Sequence, residues 1–469
     1  LLSSEQAYAA DKMQINSGTE SYQLMQNASK QLAEIASGLV DKGTKVIVVC
    51  GAGNNGGDGF LSAKYLCDNG FDVAVFSVKG FDDIKGDAAK AFAELQEDAK
   101  VNLISDLSDI DFDNYQIVID AIFGVGLDRP VEGDFAEVVR RINEASCKVL
   151  SVDIASGISA DSGEVMGVAV KADITVTFFR PKIGQLILPG KKYSGEVKVV
   201  DIGIEESVLN EISPEVFLNH QQLWIDKIKK PELEDNKYSI GHLLINGSEF
   251  DSAGATKLAA KAAVEAGAGM VTVACNKSSL PVYANSFNAV MNKVLESDDD
   301  FLLYLNRKKV RAVLLGPGNG LKSDLRDRVI EVLKLKIPCV LDADAISVFK
   351  DNPNQLFEFT HEKVVITPHE GEFKRLLKLY GSKIERGSKA GQIANCTFVL
   401  KGNDSVISNA SGDKIYVNDN SSPNLAKAGS GDILAGIISA YLANGMDGFD
   451  AACAGAYHHE KIFDKVYTA

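Results

Sequence analysis

The sequence predicts an α/β protein of two domains, each built on a mainly parallel sheet. Three observations lead there. Short apolar runs alternate with amphipathic stretches almost throughout, the rhythm of parallel strands joined by helical crossovers. At 469 residues the chain exceeds what one hydrophobic core usually serves. The alternation breaks once, over 220–237, where Pro231 sits among mixed charges. A linker is expected there, giving domains over 1–222 and 223–469.

Taken in order, 45–50, 71–78, 116–121, 148–154 and 173–178 read as strands. Between them 23–37, 58–69, 86–95 and 135–145 carry helical apolar spacing, and 195–202 reads as a closing strand. A second series follows, with strands over 243–246, 270–275, 312–315, 339–341, 364–367, 397–400, 404–408 and 414–417. It ends in helices over 429–444 and 448–465. The motif order differs between the halves, so they are not copies of one fold.

Composition narrows the function. Hydrophobic residues at 45% and charged residues at 24% are globular values. A formal net charge of −15 speaks against nucleic acid as a partner. Any anionic ligand must be held by local dipoles or single cations. Seven widely spaced cysteines form no C-x-x-C pair and read as reduced core thiols. No apolar run reaches membrane-spanning length and no leader pattern opens the chain, so a cytoplasmic protein without membrane partners is expected.

The first candidate site is the turn after 45–50, Gly51-Ala52-Gly53-Asn54-Asn55-Gly56-Gly57-Asp58-Gly59. Glycines at a strand-to-helix turn let backbone approach a pyrophosphate, and the helix start supplies N–H groups. A nicotinamide dehydrogenase would also carry an acid at the end of the next strand. That strand ends Phe76-Ser77-Val78-Lys79, with no acid. Asp120 and Asp153 close two further strands, where ligands of open α/β sheets bind. Each either caps the following segment or serves the site.

Asn54 to Asp58, Asp120 with Gly124-Val125-Gly126-Leu127, and Ser151 to Gly157, together with Leu24 to Ala28, resemble the NAD(P)H-hydrate epimerase family. The resemblance covers roughly 1–220. It implies a Rossmann-like three-layer αβα domain that interconverts the R and S hydrates of NADH and NADPH at ring carbon 6. Carried over, Asn55, Asp120 and Ser156 hold a potassium ion. Asn54, Asn55, Gly56, Gly57, Asp58, Gly124, Val125, Gly126, Leu127, Asp128, Arg129, Pro130 and Asp153 line the hydrate site. Asp153 takes the acid/base role, because epimerisation needs a proton moved near the ring. Ala155 stands where the family usually has proline.

The second candidate site centres on Ala428-Gly429-Ser430-Gly431-Asp432 at the start of an apolar helix. A glycine-rich helix start is either an anion hole or a capping sequence. An aspartate in its first turn is placed to take a proton from a hydroxyl attacking a phosphoryl group. Lys401-Gly402-Asn403-Asp404-Ser405, Gly316 to Gly320, Asp342 to Asp344 and Thr367 to Glu372 follow other strands. His458-His459-Glu460 does not suit zinc, since adjacent histidines do not share a helix face.

In that order the motifs resemble the ADP/ATP-dependent NAD(P)H-hydrate dehydratases, over roughly 236–465. The resemblance implies a ribokinase-like α/β domain. It would phosphorylate the ring hydroxyl of the S hydrate with ADP or ATP and magnesium, then eliminate phosphate. Asp432 would be the base. Gly429 and Gly431 would form the anion hole; they and Lys401, Gly402, Asn403, Asp404 and Ser405 would contact the nucleotide. Ala255, Gly318, His369 and Asp432 would meet the hydrate. Asn246-Gly247 replaces the family's Gly-Gly and Glu370 its proline, the latter adding a negative charge expected to weaken anion binding. A small-molecule kinase on the same fold is the rival for this half. The expected partners are therefore the two hydrates and the nucleotide, with assembly as a homo-oligomer.

Overall fold

The computed structural model describes residues 1–97, 101–230 and 232–467; Pro231 lies outside them. The chain divides into two compact units, Leu1–Pro214 and Glu215–Ala469.

The first unit holds seven parallel strands: β1 (Lys45–Cys50), β2 (Asp72–Ser77), β3 (Asn102–Ile104), β4 (Ile117–Ala121), β5 (Lys148–Val152), β6 (Ile174–Phe178) and β7 (Glu196–Val200). Their spatial order is β3-β2-β1-β4-β5-β6-β7, all pairs parallel. The helices are α1 (Ser4–Asn16), α2 (Ser21–Ser37), α3 (Asn54–Asp68), α4 (Gly86–Gln96) and α5 (Gly133–Glu144). Val46, Val48 and Cys50 pack on one face with Leu32 of α2 and Phe60 of α3, while Ile47 and Val49 pack on the other with Val139 of α5. Both faces are covered, so β1 reads as an unbroken apolar run. Fully burying such a side chain contributes roughly 1.5–3 kcal/mol.

Sheet order reverses between β1 and β4, which opens the crevice where an α/β sheet takes its ligand. Two expected elements shift there. The strand expected over 148–154 stops at Val152, because Asp153 turns into the left-handed region with φ 63°. The helix expected from 58 begins at Asn54, its preceding Gly53 still extended. Helix α1, unassigned in the sequence, starts on a capping box between Ser3 and Gln6.

The second unit carries β8 (Val216–Leu218), β9 (His242–Asn246), β10 (Met270–Cys275), β11 (Met291–Val294), β12 (Ala312–Leu315), β13 (Cys339–Leu341), β14 (Val364–Ile366), β15 (Thr397–Leu400), β16 (Ser405–Ser408) and β17 (Ile415–Asn418). They run β11-β10-β9-β12-β13-β14-β15-β16-β17-β8, with β16 antiparallel to both neighbours. Helices α6 (Ala253–Glu265), α7 (Ser323–Lys334), α8 (Glu370–Leu376), α9 (Lys383–Ala394), α10 (Ser430–Ala443) and α11 (Gly448–Tyr467) cover it. Strand β8 pairs with β17, and Trp224 is buried with its indole N–H on Asn219 Oδ1 at 3.0 Å. The described part of 220–237 therefore belongs to the second unit's packing, and the division falls earlier, at Pro214. A paired strand and a buried indole outweigh the loop-like composition that suggested a linker. The cysteines form no disulfide among the described residues, and no helix there is long and apolar enough to cross a membrane.

The glycine-rich turn after β1 is built for backbone contact within the protein. A Cβ on Gly51 would overlap the Ile122 carbonyl, and one on Gly56 would overlap the Gly51 carbonyl, whereas Gly53 meets nothing within 4 Å. Gly56→Ala should lower stability by about 1–3 kcal/mol, the usual cost of overpacking. Gly53→Ala should stay within ~0.5 kcal/mol of the parent. Denaturant midpoints of the two variants check this; equal midpoints would refute it.

Candidate active sites

Asp120 lies near the end of β4, where the strand delivers its side chain below the surface. It is fully buried. Its Oδ2 accepts from Ser151 Oγ at 2.7 Å and Ser156 N–H at 2.9 Å, and its Oδ1 from Ser156 Oγ at 2.6 Å. Burial pushes its pKa up and these donors pull it back. The Phe123 N–H donates to Ser156 Oγ at 2.8 Å, tying the two loops together. Asn55, in the first turn of α3, packs against Gly124, and its Nδ2 is buried without a hydrogen-bond partner among the described residues. Turning the amide over would place its oxygen at that point. One carboxylate with hydroxyl and amide oxygens is a hard donor set of single negative charge, which fits a monovalent cation.

A cavity of about 410 Å³ opens beside this network. Asn54, Asp58, Val125 and Asp153 line it. So do Tyr8 and Asp11 from α1, and Lys182. The carboxylate of Asp153 is held by Lys182 Nζ, which is 3% exposed in its side chain. The same ammonium donates to Thr177 Oγ1 at 2.9 Å and the Phe178 carbonyl at 3.2 Å. Gln185 Nε2 donates to the Asp153 carbonyl at 2.8 Å. Asp58 is raised well above the usual carboxylate range by burial first, then by Asp153 and Asp11.

Other expected residues are placed differently. Gly57 packs on Met25, and Gly126 lies against the Tyr8 hydroxyl. Leu127 joins the core face of α5, and Pro130 lies against Gly167. Asp128 and Arg129 are exposed. Lys182 had a signal, since Pro181-Lys182 soon follows β6; Tyr8 and Asp11 had none, lying far from any motif.

In the second unit, α10 begins after Gly429, whose φ of 88° suits glycine. The N–H groups of Gly431 and Asp432 have no acceptor within the helix. Asp432 is half-buried; burial, then Asp342, raise its pKa to about 7, with Lys401 pulling it down and Asp344 and Glu372 adding to the rise. Lys401 Nζ donates to Asp342 Oδ1 at 2.7 Å and lies close to Gly431. Asp342 is buried and also accepts from Thr367 Oγ1 at 2.8 Å.

A cavity of about 460 Å³ is lined by Lys401, Gly402, Asn403, Ser405, Gly431 and His369, among others. Asp404 is turned inward, its carboxylate on Lys383 Nζ at 2.5 Å and only 5% exposed. A pair buried this way holds the loop's shape. Gly318 meets Ala255 across the Gly316–Gly320 turn, and Ser252 Oγ donates to the Gly318 carbonyl at 2.8 Å. His369 caps α8, its Nδ1 accepting the Gly371 N–H at 2.9 Å.

The two departures are each compensated. Glu370 receives a two-pronged pair from Arg386, at 2.8 and 2.9 Å, which holds it below the usual range and neutralises the added charge. Asn246 Nδ2 donates to Asn319 Oδ1 at 2.8 Å, bracing the Gly316–Gly320 turn, and Arg328 donates to Asn246 Oδ1 at 2.6 Å. His459, which does not suit zinc, is buried with its Nε2 on the Ser430 carbonyl at 2.8 Å, tying α11 to the glycine-rich turn at the start of α10. Burial lowers it to about 4, so the ring is neutral.

A family profile described as NAD(P)H-hydrate dehydratase matches residues 242–468, and one described as YjeF-related protein N-terminus matches 21–184. A bifunctional NAD(P)H-hydrate repair enzyme of Coxiella burnetii is 31% identical over 99% of this chain and 94% of its own length. One of Moorella thermoacetica is 33% identical over 90% of this chain and 83% of its own. A solved ribokinase-like protein of Enterococcus faecalis covers 54% of this chain and 89% of its own at 24% identity, with a TM-score of 0.46. The full-length likeness, and the order of strand-end motifs it spans, place the chain in the family of bifunctional NAD(P)H-hydrate repair enzymes.

Proposed function

We propose that Leu1–Pro214 epimerises the R and S hydrates of NADH and NADPH, and that Glu215–Ala469 returns the S hydrate to NAD(P)H at the expense of ADP or ATP. One observation supports the second activity most directly. A carboxyl group raised to about 7 stands at a helix start whose free N–H groups face the same way, beside a lysine paired to a buried aspartate. In this reading Asp432 takes the proton of the ring hydroxyl as that oxygen attacks the terminal phosphoryl group. The N–H groups of Gly431 and Asp432, with Lys401, hold the charge that develops on the phosphoryl oxygens. Magnesium would arrive with the nucleotide and screen its phosphates. Loss of phosphate from ring carbon 6, with release of a proton from the adjacent ring carbon to solvent, then restores the double bond.

In the first unit Asp153 exchanges a proton near ring carbon 6, with its orientation fixed by Lys182 and Gln185. Asn55, Asp120 and Ser156 would hold a potassium ion, whose charge would offset the buried Asp120 carboxylate.

Asp432→Asn should cut dehydration by about 10²- to 10⁴-fold and leave interconversion of the hydrates unchanged. Absorbance of the reduced nicotinamide and released phosphate are the readouts; a stable phosphorylated product would mark a kinase instead. A base must be ionised, so the parent rate should climb as pH rises through about 7 and then level off. Removing Arg386 strands Glu370 beside the ligand. Arg386→Ala should therefore raise the nucleotide KM roughly tenfold, about 1.4 kcal/mol, and adding Glu370→Gln should recover most of it. For the cation, potassium in place of sodium should raise both epimerase rate and thermal midpoint of the parent. Asp120→Asn should abolish both shifts; an undiminished potassium-dependent midpoint in that variant would move the cation elsewhere.

A further inference from the structure

Helix α1 lies outside the stretch matched to the epimerase profile, which begins at residue 21. Yet Tyr8 and Asp11, one turn apart on its surface, line the same cavity as Asp58, Asp153 and Lys182. The helix is fixed in place. Leu2 N–H donates to the Pro181 carbonyl at 3.0 Å and Ile183 N–H to the Leu2 carbonyl at 3.1 Å, so the segment before α1 grips Lys182 from both sides along the backbone. Ser4 Oγ donates to Asp161 Oδ2 at 2.9 Å.

The groups around the cavity have unequal freedom. Lys182 uses its donors on Asp153, Thr177 and Phe178, and a fully engaged ammonium is a charge holder rather than a proton donor. Asp153 is held by that ammonium. Asp58 is buried at the head of α3. Asp11 is exposed and reaches the cavity from helix α1, and no hydrogen bond holds its carboxyl among the described residues.

Epimerisation at a carbon bearing a hydroxyl next to a ring nitrogen needs two proton-transfer groups, one to release the hydroxyl and one to receive its replacement. We propose that Asp11 is the second catalytic residue of the epimerase site, acting across the cavity from Asp153. The inference rests on the epimerase reading above. Asp11 gives its proton to the hydroxyl of ring carbon 6; the C–O bond breaks, water leaves, and the nitrogen lone pair forms the C=N bond. Water then adds to the other face, and Asp153 takes the proton it loses. One proton has moved from Asp11 to Asp153 and returns through solvent, so the ring gains and loses one water. Desolvation, then the Asp153 charge, raise Asp11, with Lys182 opposing, which favours the protonated form the step requires. Tyr8 and Lys12 on α1, Asp58 on α3, and Asp153 and Lys182 are the titratable groups that face it.

The test uses the full chain, following R and S hydrates by chromatography after subtracting the uncatalysed rate. Asp11→Asn should lower epimerase kcat by about 10²-fold or more, with KM, thermal midpoint and dehydration of S hydrate unchanged. The parent kcat should fall on the alkaline side as Asp11 loses its proton, and the residual rate of the variant should be flat there. Parent-like kcat in Asp11→Asn, or a reduced kcat with the alkaline limb intact, would overturn the assignment and leave the epimerase reading standing. A parent chain inert toward both hydrates would overturn both.

Discussion

Asp120 and Asp342 each bury a carboxylate at or just past the end of a central parallel strand, and the loops that carry the candidate chemistry are fastened to them. A parallel sheet ends in carbonyls and turns that must change direction within a few residues. A buried carboxylate accepts several donors at once and so can organise several such turns. Asp120 gathers Ser151 and Ser156, and through Ser156 the Phe123 turn. Asp342 gathers Thr367 and Lys401 from the ends of β14 and β15. The halves solve the charge differently. Asp342 has an ammonium beside it, whereas the donors on Asp120 are neutral hydroxyls and amides.

Compensation is the second theme. Taken alone, Glu370 and Asn246 read as losses at a ligand site. In the fold each has acquired a partner from a different helix, Arg386 from α9 and Arg328 from α7. A half-exposed, two-pronged guanidinium pair is among the stronger surface interactions. The arrangement keeps local charge near balance beside His369 and the strand-end turns.

Much of both folds was legible because parallel strands buried on two faces have to be apolar without alternation, as 45–50 and 312–315 are. The strand-end turns were legible because glycine and aspartate have few other reasons to cluster there. What escaped was set by tertiary contact. Lys182, Arg386 and His459 owe their places to partners 16 to 29 residues away. Helix α1 mattered through the cavity it closes, which no local pattern encodes. The boundary expected at 222 lies at Pro214 for the same reason: the composition that follows is loop-like, but β8 pairs into the second sheet and Trp224 is buried in that unit's core.

The arrangement of charged groups in the first cavity follows from one further restraint. Asp11, Asp58 and Asp153 share a small space with Lys12 and Lys182, and like charges that close repel one another. Lys182 is committed to Asp153, because its position is fixed from both sides by backbone pairing with Leu2 and its ammonium is saturated. The same lysine and Gln185 hold the two ends of Asp153, a residue whose left-handed backbone costs about 1 kcal/mol or more. Severing such a buried pair typically costs about 3–5 kcal/mol, well above that strain. The ion pair therefore stabilises the bend at the end of β5 and holds the Asp153 carboxylate in one orientation at the cavity.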